Sequence, residues 1–129
     1  MTLKNHLFTL LSCQPLWRAA LMISVIAVIY LATTSQAYPV PAAANDKTNH
    51  FIAFMELTLL AFLAWPGARL LYVVPPMLVF GLLIELTQSF LPYREFSIMD
   101  VAADAVGVAA GIVIWHLLLR KIVLVNSTD

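Results

Sequence analysis

The sequence predicts an all-α integral membrane protein, a four-helix up-down bundle with both termini on the cytoplasmic side. Three observations predict it. Of 129 residues, 62% are apolar and only 11% are charged. The mean hydropathy is +0.91. The apolar residues gather into four windows, separated by breaks that carry turn-forming residues. Soluble domains are roughly a quarter charged, and a chain this short cannot hide so much apolar surface in its own core.

Each window approaches the ~20 residues that a spanning helix needs. The spans lie at about 16–34, 49–65, 70–91 and 98–119, and together form one membrane domain over 16–119. Residues 1–15 mix Lys4, Asn5 and His6 with leucines, as expected of a cytoplasmic segment lying along the interface. Residues 120–129 form a cytoplasmic tail. Pro39 and Pro41, Pro66-Gly67 and Pro92 mark the breaks. The last two breaks are short, so the helices they join run antiparallel. Pro75-Pro76 is expected to kink or loosen the third helix.

Orientation follows from basic residues near span ends. Lys4, Arg18, Arg69, Arg120 and Lys121 fall inside, and Lys47 and Arg94 outside. A rival reading takes the first span as a signal peptide cleaved after Ser35-Gln36-Ala37; the long segment ahead of the apolar run speaks against it, and the later spans keep their orientation either way. Trp17, Trp65 and Tyr93 read as interfacial aromatics, and Trp115 as either that or packing.

Several function classes drop out. Seven basic against seven acidic residues leave no net charge and no nucleic-acid footprint. The single cysteine, Cys13, permits neither an internal disulfide nor a CxxC site. Phosphate-binding glycine loops, nucleophile elbows and HExxH pairs do not occur, and no cofactor is identified.

The remaining charges are unevenly placed. Eight of the fourteen lie on the outer side, six acids and two bases, and the inner rim holds five bases and Asp129. Ionisable residues in a span are costly and demand a reason. Asp46, Lys47 and His50 open the second span, Glu85 and Gln88 close the third, Arg94 follows it, and Asp100 and Asp104 open the fourth. Residues three, four and seven apart share a helix face. Asp100, Asp104, Gly107 and Gly111 therefore form one stripe, and Gly81, Glu85 and Gln88 another, the glycines allowing close helix approach. Glu56 is rotated away, towards the first span or the headgroups. The pattern predicts an outward-facing polar cavity built from Asp46, Lys47, His50, Glu85, Gln88, Arg94, Asp100 and Asp104, with Gly81, Gly107 and Gly111 as packing positions.

These motifs resemble the VanZ-like family of small bacterial membrane proteins. The match rests on Asp46-Lys47-Thr48-Asn49-His50-Phe51 with Phe54, then Glu85-Leu86-Thr87-Gln88, Pro92 and Arg94, then Asp100, Asp104, Gly107 and Gly111. The family pattern has Asn where this chain has Asp104. The resemblance implies a multi-pass protein of the bacterial cytoplasmic membrane and cell envelope, with a link to teicoplanin resistance. It does not imply a reaction, and enzyme activity is not expected. The leading reading is a cavity that binds a membrane lipid, a cell-wall precursor or an amphiphilic drug of the lipoglycopeptide type. The alternatives are an intramembrane enzyme acting on a lipid-linked substrate, with carboxylates and His50 as metal ligands or acid/base groups, and a small transporter or channel subunit. Metal binding and oligomeric state stay open.

Overall fold

The protein is described by a computed structural model covering residues 2–35 and 46–125. Every regular element among these residues is helical. Pro39, Pro41, the Gln36-Ala37 part of the cleavage-like triplet and Asp129 fall outside the described residues.

Helix α1, Leu3–Leu11, is capped by the Thr2 hydroxyl, which accepts from the Asn5 N–H, and has no buried residue. Helix α2, Gln14–Thr33, starts ahead of residue 16 because Pro15 sits in the first turn, where its missing N–H costs nothing. Helix α3, Asp46–Ala64, likewise starts ahead of residue 49, with the Asp46 carboxylate in a first turn whose free N–H groups favour an anion.

Helix α4, Leu70–Ser89, holds Pro75 and Pro76 and still forms one continuous helix. The two prolines sit in its second turn, so only the bonds to the Leu71 and Tyr72 carbonyls are lost. Helix α5, Ile98–Ile114, opens on Ser97, whose hydroxyl accepts from the Asp100 N–H at 3.3 Å. It passes through a π-helical turn, Trp115–Leu119, into α6, Arg120–Val125. The helix thus continues beyond residue 119, where composition ends the span, and takes in Arg120 and Lys121.

Among the described residues, three helices are long and apolar enough to cross a membrane: Gln14–Thr33, Leu70–Ser89 and the continuous Ile98–Val125. Most of their surface faces outward, with Ile23, Ile26, Leu71, Val79, Leu117 and Leu118 exposed. A soluble protein seldom shows so wide an apolar surface. The exception is the window at 49–65. Helix α3 carries Asp46, Lys47 and Glu56 within its span, and it is the helix the others enclose, packing on α5, α2 and α4. Phe54, Leu57, Phe62 and Ala64 are buried on it.

Packing against α5 depends on two glycines. A methyl group at Gly107 would collide with the Phe51 carbonyl oxygen, and one at Gly111 would come within 2.8 Å of Thr58 Cβ and 3.0 Å of the Met55 oxygen. The α3 backbone therefore rests directly on the glycine stripe, the close approach that small-xxx-small spacing permits. Towards the other end, Phe62 stacks on Trp115 at 5.4 Å between ring centroids and 7° between planes, so Trp115 is a core residue. Trp65 carries the Arg18 guanidinium over its ring at 5.2 Å, while Arg18 Nε donates to the Ala64 carbonyl at 3.3 Å.

Candidate functional site

The C-terminal ends of α2 and α4 meet the N-terminal ends of α3 and α5, and four of the predicted side chains converge there. His50 is at the centre. Its Nδ1 lies 2.7 Å from Asp104 Oδ1, and its Nε2 lies 3.4 Å from Glu85 Oε1 and 3.7 Å from Asp100 Oδ2. The two residue stripes explain the convergence: Asp100, Asp104, Gly107 and Gly111 are all buried on α5, as are Gly81, Glu85 and Gln88 on α4. Glu85 is 0% exposed, Asp104 1% and Asp100 7%.

These carboxylates are only partly satisfied. Glu85 Oε2 accepts from the Ser97 N–H at 3.0 Å, tying the end of α4 to the start of α5. Glu85 Oε1 and Asp104 Oδ2 are buried and have no hydrogen-bond partner among the described residues. Buried oxygens of this kind are rare and each needs an explanation. Asp104 Oδ2 fills the space above Gly81, where a side-chain Cβ would lie 2.7 Å from it.

The other predicted residues take different places. Gln88 is buried, but its amide donates to the Ala32 carbonyl at 3.0 Å and so fastens α4 to α2. Arg94 reaches the carbonyls of Leu31 and Thr34, each at 3.2 Å, beside Tyr93, whose hydroxyl donates to the Thr33 carbonyl at 2.6 Å. The reason is the helix end: the last carbonyls of α2 lack intrahelical partners and attract donors. Asp46 and Lys47 are exposed on the first turn of α3. Glu56 faces the first long helix, accepting from the Ser24 hydroxyl at 3.0 Å.

Between α2, α3 and α4 lies a cleft of ≈ 420 Å³, and His50 and Gln88 stand on its wall. Its apolar lining includes Ala27, Val28, Leu31, Ile52 and Ile84, and its polar lining includes Ser24, Asn49, Glu56 and the predicted Asp46. His50 thus belongs both to the carboxylate cluster and to the cleft. Ser24 and the α2 wall carry no sequence signal, because a serine and small apolar residues in a spanning helix are unremarkable in composition. A larger concavity of ≈ 720 Å³ at the opposite end is lined by Trp65, Arg69, Tyr72 and Pro76 among others and includes no acid.

Chemically, three carboxylates around one imidazole form an oxygen-rich nest with an excess of acceptors. Such a nest accepts hydrogen bonds, holds a proton or holds a cation.

The sequence profile of the VanZ/LLP1 family matches residues 9–120. An uncharacterized protein of Schizosaccharomyces pombe is 32% identical over 94 residues, which cover 70% of this chain and 58% of the yeast protein. The chain therefore spans a little over half the length of that relative, and a fungal relative takes the likeness beyond bacteria. No solved structure matches. The profile match runs from within α1 to the start of α6 and takes in all four converging side chains, so the chain belongs to the VanZ/LLP1 family.

Proposed function

We propose that this VanZ/LLP1 protein is a multi-pass protein of the cytoplasmic membrane, an up-down bundle of four spanning helices (α2 to α5) with both termini inside and α1 along the inner interface. Its cleft receives one membrane amphiphile, with the apolar chain against α2 and the polar headgroup at His50. The supporting observation is that His50 is shared by an apolar cleft of ≈ 420 Å³ and a buried cluster with unpaired acceptor oxygens. Such a wall, apolar with a few convergent polar groups, is what small-molecule sites present. Membrane lipids, lipid-linked cell-wall precursors and lipoglycopeptides all join an apolar chain to a polar head, and the resemblance to VanZ-like proteins supports the last.

Native mass spectrometry of the detergent-extracted protein tests this reading. One amphiphile adduct per chain is expected, and its mass distinguishes the sources. Val28→Trp, which fills the cleft, should abolish the adduct, and Tyr72→Trp at the opposite concavity should leave it. An absent adduct, or one indifferent to Val28→Trp, defeats the proposal. For the drug version, cells with Glu85→Gln protein at normal level should differ from wild type in teicoplanin sensitivity.

A second reading, hydrolysis of a lipid-linked substrate within the membrane, draws on one observation. The His50–Asp104 contact at 2.7 Å is an imidazole oriented by a carboxylate, the arrangement of a general base. Turnover of a lipid phosphate by the wild type, lost in His50→Gln, would select it over binding alone.

A further inference from the structure

We propose that His50, Glu85 and Asp100 bind one divalent transition-metal ion of the zinc class, with Asp104 as the positioning residue that orients His50. The proposal is independent of whether an amphiphile occupies the cleft.

The geometry begins with the imidazole. A carboxylate oxygen 2.7 Å from Nδ1 is a hydrogen-bond acceptor, so Nδ1 carries the proton and Nε2 offers a lone pair. That nitrogen has two more acceptors close by, Glu85 Oε1 at 3.4 Å and Asp100 Oδ2 at 3.7 Å. All three atoms lie within 4.8 Å of one another. Three electron-rich atoms facing one another repel unless something positive stands among them.

A proton on Nε2 is the simplest occupant, but at 3.4 Å and 3.7 Å it makes only long contacts to the two oxygens. Glu85 Oε1 is buried and accepts no hydrogen bond among the described residues, although Nε2 is its near neighbour. An ion fits better. A tetrahedral centre with bonds of about 2.1 Å holds its ligands about 3.4 Å apart, close to the two spacings seen around Nε2. Imidazole with two carboxylates suits a first-row divalent ion. The ion would give Glu85 Oε1 the partner it lacks and would neutralise two of the three carboxylates.

Asp104 completes the arrangement. Metal-bound histidines ordinarily donate their other ring N–H to a carboxylate or carbonyl, which fixes the tautomer and raises ligand basicity. The Asp104–His50–ion chain reproduces this relation, and Gly81 leaves the room that the Asp104 carboxylate occupies.

The test uses the full-length protein in detergent, stripped with EDTA and carrying Cys13→Ser to remove the one thiol. Titration with Zn2+ alone should give one site per chain, and X-ray absorption should show one imidazole and only nitrogen and oxygen ligands. His50→Gln and Glu85→Gln should each weaken binding at least 100-fold. Asp104→Asn, which keeps an acceptor and loses the charge, should weaken it about tenfold, the low end of outer-shell effects. Absorption spectra of the wild-type protein need no variant to fold. Binding below 0.1 ion per chain, an edge without imidazole scattering, or equal affinity in a helical His50→Gln protein would overturn the proposal. Repeating the amphiphile mass measurement on the EDTA-stripped protein separates the two inferences, so that loss of one leaves the other standing.

Discussion

The backbone of Gly81 on α4 faces the Asp104 carboxylate on α5 so closely that a Cβ at residue 81 would lie 2.7 Å from Asp104 Oδ2 and 3.3 Å from its Cβ and Cγ. The missing side chain of one residue is the space of the other. Gly81→Ala should therefore displace the carboxylate from His50 without exposing it to solvent. Expected are near-normal helicity by circular dichroism and about tenfold weaker Zn2+ binding, the cost of disturbing an outer-shell partner.

Gly107 and Gly111 make a different prediction, because what they touch is α3 backbone and Thr58 rather than a site carboxylate. Gly111→Ala should lower stability by about 1–3 kcal/mol, the usual cost of overpacking. Gly107→Ala should cost more, since a carbonyl oxygen cannot rotate aside as a side chain can. Thermal unfolding in detergent reads both, and a Gly107→Ala protein as stable as the wild type would show that α3 and α5 do not meet as described.

Gln88 and Arg94 hold the end of α2 rather than the carboxylate cluster. Arg94→Gln should leave Zn2+ affinity within about twofold and loosen the last turn of α2, seen as faster amide exchange at Thr33 and Thr34. Gln88→Leu removes a buried donor and leaves the Ala32 carbonyl unpaired, a loss of about 1–3 kcal/mol.

The Ser24–Glu56 bond is a single interhelical contact at 3.0 Å on the cleft wall. Ser24→Ala should cost only about 0.6 kcal/mol, the average for a hydrogen bond between membrane helices. Glu56→Leu makes the cleft wall wholly apolar there and should change which amphiphile is retained. An unaltered adduct mass would remove Glu56 from headgroup selection.

The helical class, the three most apolar helices and the glycine faces were legible in the sequence, because period and composition report them directly. Span position also put His50, Glu85, Asp100 and Asp104 near one membrane depth, while their meeting at contact distance needed the packing of α3 on α5. Arg94 and the Gln88 amide hold carbonyls rather than the carboxylate cluster for a physical reason. The nearest unpaired acceptors were carbonyls at the end of α2, and backbone carbonyls leave no mark in a sequence. Ser97 escaped notice likewise, because it bonds Glu85 through its main-chain N–H. The extension through the π turn to Val125 was hidden by Arg120 and Lys121, charges that composition reads as a boundary.

Helix α3 is the least apolar of the long helices and the one most enclosed by the rest. Insertion into a bilayer is decided segment by segment, and a segment with Asp46, Lys47 and Glu56 partitions poorly alone. Its partners arrive at different times: α2 is made before it, while α5, with the glycines on which it rests, is made last. Helix α3 therefore completes its packing only after Ile98–Ile114 has been made. A chain truncated before α5 leaves the α3 backbone at Phe51 and Met55 uncovered and is expected to be degraded faster than the full chain.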